Sequence, residues 1–168
     1  MASKLGRPTQ QKMAMLKGQV SDLFWYDKIE TTLDRGKDVA RLAEKYLTVA
    51  IKAYDDQVEV TKKVKNSKDV IEEVKVINDG PRKLAARRFL MAHLYDPQER
   101  KLQGESRTEY KLRTRDIKHP LIEKIFKEYA PKYAARNQEN GQGGGYTRIL
   151  KLGARRGDDA EVVIVELL

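Results

Sequence analysis

The stretch Lys28–Tyr54, KIETTLDRGKDVARLAEKYLTVAIKAY, combines a short strand with the clearest amphipathic helix in the sequence. Its opening KIETT is rich in β-branched side chains, which favour an extended chain. Thr32 is a residue type that often caps the start of a helix. Apolar residues then recur at steps of three and four, as on one face of an α-helix. They are Val39, Leu42, Ala43, Tyr46, Leu47, Ala50 and Ile51. We therefore predict a strand that leads directly into a helix ending near Tyr54.

Three more helices are predicted on either side of this stretch. The apolar stripe of residues 13–24 predicts a helix over roughly Thr9–Trp25. A third helix should begin near Pro81, with Asp79 as its candidate cap. The last helix should cover about Pro120–Arg136, because proline suits the first position of a helix.

The C-terminal part predicts a β-hairpin. Its strands should be Tyr146–Leu152 and Ala160–Leu167, joined by a turn at Gly153–Asp159. Val162–Val165 is an unbroken β-branched run, typical of a strand buried on both faces or at a helix–sheet junction. Together these elements indicate one α+β domain over residues 1–168, with about four helices packed on one face of a small sheet.

Three segments lie outside this framework. Residues 1–8 have no apolar periodicity, so we predict a basic arm that is mobile until it binds a partner. In residues 57–80, valines flank the turn-forming run Lys65–Lys68. That pattern favours a protruding β-hairpin, although a disordered acidic loop explains it nearly as well. Residues 98–118 are charged and lack apolar periodicity, so we expect an extended or partly helical excursion.

The charge is positive and unevenly distributed. The 168 residues have a net charge of +9 and a pI near 9.6. Residues 1–21 hold four cations and no acid, as do residues 148–157, whereas residues 55–79 hold five cations and seven acids. This separation is expected of a protein with one side toward a polyanion and another toward water or a protein neighbour. Phosphates are suitable partners, because each one neutralised releases condensed counterions.

Two basic clusters are candidate contacts with such a polyanion. The first lies in the opening turns of the third helix and consists of Arg82, Lys83, Arg87 and Arg88. The helix dipole disfavours cations there by about 0.3–1 kcal/mol each, and a bound anion would reverse that effect. The second is the pair Arg155 and Arg156 at the hairpin tip, where guanidinium groups suit phosphate. A simply solvated surface is the alternative for both clusters.

Catalysis, metal binding and nucleotide binding have little support. Cysteine is absent, which removes thiolate chemistry and fits a reducing cytoplasm. His93 and His119 are the only histidines, and their spacing fits no zinc motif. The run Gly141–Gly145 lacks the ending of a phosphate-binding loop and precedes a strand. Acid pairs at residues 55–56 and 158–159 leave a carboxylate-only magnesium site open, though both look like loops. We expect no enzyme activity, cofactor or metal.

A membrane and duplex DNA are two alternative partners for a basic protein, and the sequence gives little support to either. No apolar run is long enough to span a membrane, and the amino terminus does not look like a signal peptide. A DNA-binding helix-turn-helix could use only the first two helices, but Trp25–Leu33 between them is long and strand-like for such a turn. Trp25 and Tyr26 could stack on bases, whereas Tyr46 lies on the apolar stripe and is better explained by packing.

Several sequence blocks resemble the bacterial large-subunit ribosomal protein L17 family. They occur in the order of the family and cover roughly two thirds of the chain. The most specific are Gly144–Ile149 (GGYTRI) and Ile29–Leu33 (IETTL). The others are Lys4–Arg7, Ala14–Lys17, Lys37, Arg41–Ala50, Ala86–Arg88 and Arg155–Asp158.

The resemblance implies a small mixed three-stranded sheet and binding to large-subunit (23S) ribosomal RNA near the peptide-tunnel outlet. It also implies neighbouring large-subunit ribosomal proteins as partners, in a cytoplasmic ribosome. Residues 57–80 and 98–118 exceed the short form of the family and count as insertions, and Gly18 stands where many members have asparagine. The expected RNA-binding residues are Lys4, Arg7, Lys12, Lys17, Arg35, Lys37, Arg82, Arg87, Arg88, Arg113, Arg115, Arg136, Tyr146, Arg148, Lys151, Arg155 and Arg156.

Overall fold

The computed structural model describes residues 4–65, 71–115 and 117–168, which form five helices and two antiparallel sheets. The helices are α1 (Thr9–Tyr26), α2 (Leu33–Ile51), α3 (Pro81–His93), α4 (Arg107–Thr114) and a last helix composed of α5 (Pro120–Lys124), a π-helical turn (Ile125–Tyr129) and α6 (Ala130–Asn140). The strands are β1 (Lys28–Thr32), β2 (Gln57–Lys65), β3 (Ile71–Asp79), β4 (Thr147–Ala154) and β5 (Glu161–Leu167). The predicted α+β class is confirmed.

The main sheet joins the two ends of the chain in the order β1–β5–β4. Both outer strands run antiparallel to β5, so the mixed sheet that the resemblance implied is wrong. The physical reason is the connectivity. β4 reaches β5 through a hairpin, and β1 starts beside the end of β5, where the Leu167 amide donates to the Asp27 carbonyl at 2.9 Å. Because β1 occupies the connection between α1 and α2, these helices do not form a helix-turn-helix.

The helices α1 and α2 cover one face of this sheet, and α2 does so at close range. A Cβ atom at Gly36 would lie 2.8 Å from Val163 Cγ2, which is too close for any real side chain. Glycine therefore sets the distance between the helix and the sheet. Val163 and Val165 are fully buried beneath α2, whereas Val162 and Ile164 are only partly buried. The β-branched run is thus buried mainly on its helix side.

The helix α3 and the last helix pack against α2, where tyrosines fill much of the interface. The hydroxyl of Tyr129 donates to the Phe24 carbonyl at 2.8 Å and also contacts the Asp27 carboxylate. Burial and the nearby carboxylate raise the pKa of Tyr129. Burial also raises the pKa of Tyr133 to about 12. Both rings therefore stay neutral and tie the last helix to α1 and the core.

The last helix begins at Pro120 as predicted but contains a wider turn. The Ala130 amide donates to the Ile125 carbonyl, five residues earlier. Pro131 follows in the first turn of α6. In a regular α-helix its ring would clash with the carbonyl four residues before it, and it has no amide hydrogen to donate. The π-helical turn accommodates this proline while the apolar stripe stays on the core side.

The described parts of both extensions form regular secondary structure. β2 and β3 form a two-stranded antiparallel ribbon, so the hairpin prediction is confirmed over the described strands. Residues 66–68 of the predicted turn lie outside the described residues. In residues 98–118, α4 begins with a capping box in which Ser106 and Glu109 exchange hydrogen bonds. Arg113 pairs with Glu99 and Glu105, which ties α4 to the chain that leads into it.

Residues 4–7 of the predicted basic arm form a turn and contact the rest of the protein. The Arg7 amide donates to the Lys4 carbonyl at 3.1 Å, which closes a turn. Leu5 packs against the core. Leu5 thus gives the arm one contact with the core. The mobility that we expect for the arm in the free protein stays a prediction. Residues 1–3 lie outside the described ranges.

Candidate nucleic-acid interface

The outward side of α2 carries three exposed cations in a row. Lys37, Arg41 and Lys45 are spaced four residues apart, which puts them on one face of the helix. None of the three pairs with an acid in the described part of the chain. Like charges at this spacing destabilise a helix by about 0.2–0.5 kcal/mol per pair, and a bound polyanion would remove that cost. We call these three residues the α2 basic face.

Only Lys37 of this face was selected from the sequence; Arg41 and Lys45 were missed. The signal was present, because the period that defines the buried stripe of a helix also defines the side opposite to it. Extending the analysis of Val39 and Leu47 to their polar counterparts would have found both residues.

A polar cleft connects the start of α2 with the β4–β5 turn. Arg35 and Arg155 line this cleft, whose volume is about 240 Å³. Gln19 of α1 also lines it and donates to the Thr31 hydroxyl at 3.1 Å. The fold therefore brings the predicted hairpin tip beside the beginning of the helix that carries the α2 basic face.

The two arginines of the tip have different surroundings. Arg155 donates to both oxygens of Asp158, at 2.8 and 2.6 Å. These hydrogen bonds raise the pKa of Arg155 and lower the pKa of Asp158 to about 2. Arg156 is exposed and pairs with no acid among the described residues. Arg156 is therefore the better candidate for a phosphate contact, and Arg155 holds the turn in shape.

The start of α3 is not an open anion site. The Asp56 carboxylate lies at this helix end and accepts hydrogen bonds from the amides of Arg82 and Lys83, at 2.7 and 3.3 Å. Asp79, the predicted cap, instead pairs with Lys83 and Arg87. The Asp56 and Asp79 carboxylates therefore supply internal anions for the cations at this helix end. A contact of Arg82 and Arg88 with an external anion stays a prediction.

Arg87 lies inside the protein rather than on the interface. Its guanidinium donates to Asp79 at 2.7 Å and to Glu123 of α5 at 2.5 Å, with 18% of the side chain exposed. Burial acts to raise the pKa of both acids, but hydrogen bonds from Arg87 and nearby lysines outweigh it and hold each pKa below its usual value. We therefore remove Arg87 from the candidate interface. Arg82 and Arg88 of the same helix are exposed.

Other predicted cations have partners inside the protein. The ion pairs are Lys12 with Asp38 at 2.6 Å, Arg148 with Glu166 at 3.3 Å and Lys151 with Glu161 at 3.8 Å. Lys17 donates to the Ala92 carbonyl at 3.0 Å, and Arg113 is held by the two acids of its own extension. Lys4, Arg7 and Arg115 are exposed. Arg148 and Lys151 remain exposed despite their ion pairs, so these pairs contribute little to stability and leave both side chains on the surface.

The glycine-rich loop before β4 is fixed by a carboxylate from α2. Glu44 accepts hydrogen bonds from the amides of Gly145 and Thr147, at 3.1 and 3.0 Å. Arg136 donates to the Gly145 carbonyl at 3.0 Å. Tyr146 is only 2% exposed, so we assign its side chain to the core and remove it from the candidate interface. The loop amides bind an internal carboxylate, which leaves no phosphate cradle at Gly145 and Thr147.

The structure adds two findings on other kinds of site. Within residues 4–65, 71–115 and 117–168, no group of three or more histidine, aspartate and glutamate side chains is arranged to hold a metal ion. Over these same stretches, none of the helices has the length and apolar character required to cross a membrane.

Sequence comparison identifies the family to which the chain belongs. The profile of the family described as ribosomal protein L17 matches residues 15–168. The large ribosomal subunit protein bL17 of Acetivibrio thermocellus is 37% identical over 189 positions, which cover 98% of this chain and 97% of that protein. The bL17 protein of Clostridium tetani is 33% identical over 165 positions, covering 98% of this chain and 96% of its own length. The family consists of ribosomal structural proteins rather than enzymes. The chain belongs to the ribosomal protein L17 family.

Proposed function

We propose that the protein is a structural constituent of the large ribosomal subunit, where it binds 23S ribosomal RNA and stabilises the RNA fold. The observation that carries this proposal is the α2 basic face, whose cations repel one another and have no internal acid to neutralise them. Its relatives are named as proteins of the large ribosomal subunit, which supports the proposed assembly. By the same resemblance we propose a position near the peptide-tunnel outlet of a cytoplasmic ribosome, beside other ribosomal proteins.

The proposed RNA surface extends from the α2 basic face to the β4–β5 turn. Arg35 in the polar cleft and Arg156 at the tip continue the positive charge in that direction. Arginine and lysine on phosphates supply affinity and position the protein, without reading the base sequence. The β2–β3 ribbon belongs to a different side in this proposal, because residues 55–79 hold seven acids and would be repelled by phosphate.

The experiment is a salt titration of binding to a 23S ribosomal RNA fragment. A variant with Lys37, Arg41 and Lys45 all replaced by glutamine should bind more weakly. The slope of log K against log salt is negative, and its magnitude should decrease by about 2–3. Each lost phosphate contact lowers that magnitude by about 0.7–0.9. Circular dichroism would verify that the variant is folded.

A matched control separates a specific surface from total charge. Lys101, Lys111 and Lys118 of the second extension are also exposed lysines. Replacing these three by glutamine removes the same charge and should leave the slope nearly unchanged. Equal losses in both triple variants would show that the α2 basic face is not the contact surface and would contradict the proposal.

A further inference from the structure

A half-open pocket lies where α1, α2 and the end of α3 meet. Its volume is about 230 Å³, and its walls include Met13, Lys17, Leu42, His93 and Tyr95. No acidic side chain lines it among the described residues. Leu42 precedes Lys45 by three positions, so the pocket opens beside the α2 basic face. The pocket thus adjoins the proposed RNA surface, yet none of its residues serves the phosphate contacts proposed above.

The ring of Tyr95 is held in place but not covered. Its backbone amide donates to the Ser21 hydroxyl at 2.8 Å, which fixes the residue. The Lys17 ammonium lies 4.7 Å from the ring centroid, and the ring packs beside α1, where a Cβ atom at Gly18 would lie 3.8 Å from its Cε2. Even so, Tyr95 is 51% exposed. A positioned aromatic ring with an open surface can stack on another flat ring.

His93 lines the pocket and has a ring nitrogen that can accept a hydrogen bond. Its Nδ1 lies 2.8 Å from the Phe89 carbonyl, which can only accept, so Nδ1 carries the hydrogen. In the neutral ring this leaves Nε2 as an acceptor. The Phe89 and Tyr46 rings, at 4.2 and 5.8 Å between centroids, support the imidazole from behind. The pocket therefore combines an aromatic surface, an acceptor and the Lys17 ammonium.

We propose that this pocket binds a single unpaired base of the RNA. The proposal rests on the proposed function, since it assumes RNA on the adjacent α2 basic face. Unpaired bases are recognised by stacking on aromatic rings and by hydrogen bonds to their edges. Here Tyr95 stacks on the base, His93 Nε2 accepts from an exocyclic amino group, and Lys17 donates to a base carbonyl or the flanking phosphate. The adjacent cations and the absence of acids favour a base over an apolar protein side chain.

The test uses two short RNA hairpins that differ by one bulged 2-aminopurine. The protein should bind the bulged hairpin roughly tenfold more tightly than the fully paired one, and stacking should quench the fluorescence of the bulged base. Tyr95→Ala should abolish both effects, and Tyr95→Phe should restore them because the phenyl ring still stacks. Tyr26→Ala is the comparison variant, because Tyr26 is the alternative stacking residue, is 52% exposed and lies outside the pocket. Loss of the preference for the bulged hairpin in Tyr26→Ala rather than in Tyr95→Ala would overturn the proposal.

The outcomes separate this inference from the proposed function. Equal, tight and salt-dependent binding of both hairpins by the wild type would overturn the base pocket and leave RNA binding intact. A similar loss for Tyr95→Ala on both hairpins would also overturn it, because the ring would then not select the bulge. Failure to bind either hairpin or the 23S ribosomal RNA fragment would contradict the proposed function itself.

Discussion

Replacing Arg87 by methionine should destabilise the protein by about 2 kcal/mol at neutral pH. Arg87 connects the end of β3, through Asp79, with α5, through Glu123. Removing one member of a fully buried ion pair costs about 3–5 kcal/mol. The cost here is smaller, because Arg87 keeps 18% of its side chain exposed and each acid retains a lysine partner. Methionine preserves the packing beside Phe126, whose ring centroid lies 5.3 Å from the guanidinium carbon.

The same substitution predicts a definite pH dependence. The pKa values of Asp79 and Glu123 are lowered in the folded protein despite their burial. A carboxyl group with a lowered pKa stabilises the fold fully above its unfolded pKa, and this contribution is lost as pH falls through the folded pKa. The stability difference between wild type and Arg87→Met should therefore be full at neutral pH. The difference should shrink as pH falls below about 4, the ordinary pKa of these acids in the unfolded chain. It should be lost as pH falls further, through their lowered pKa values in the folded protein.

The assay is urea unfolding at pH 7 and pH 3, followed by circular dichroism. Arg88→Met is the matched control, because Arg88 is exposed on the same helix, and it should change stability by less than about 0.5 kcal/mol. In thermal unfolding, Arg87→Met should lower Tm by roughly 4–8 °C for a chain of this size. If the two variants proved equally stable at pH 7, the internal ion-pair network would contribute nothing and the reasoning would fail.

Two further predictions concern the hairpins. Arg156→Ala should decrease the magnitude of the salt slope of RNA binding by about 1. Arg155→Ala should change the slope less, because Asp158 already neutralises Arg155. Salt titrations in which Arg155→Ala had the larger effect would refute this assignment. Replacing residues 58–78 by Asn-Gly between Gln57 and Asp79 should leave fold and RNA affinity nearly intact. Gln57 and Asp79 face each other in the ribbon, and the shortened turn keeps the Asp79 contact with Arg87. The measurement is incorporation of the shortened protein into large ribosomal subunits in competition with the intact protein. Strong exclusion of the shortened protein would mean that the ribbon contacts RNA.

The elements that follow a local period could be predicted from the sequence, and the contacts between distant elements could not. The stripe of α2 and the β-branched run of β5 are local patterns, and both elements formed where expected. The Asp56 cap of α3 joins residues 26 positions apart, and the Arg87–Glu123 pair joins residues 36 positions apart. No local pattern assigns such partners. The internal carboxylates that neutralise the basic cluster at the start of α3 could therefore not be predicted from the sequence.

Arg41 and Lys45 could also have been predicted from the sequence. The α2 basic face is periodic, and so was within reach of the sequence. The burial of Tyr146 and the internal pairing of Arg87 depend on three-dimensional packing, which single-residue chemistry does not reveal.

The central position of β5 determines when the protein can complete its fold during synthesis. β5 follows β1 and β4 along the chain, yet it lies between them in the sheet and fills the space beneath α2 with Val163 and Val165. Until residues 161–167 leave the ribosome that makes them, β1 has no partner strand and the buried face of α2 stays open to water. The main sheet therefore cannot form before β5 has been synthesised, and nascent chains truncated before β5 expose an apolar surface that promotes aggregation.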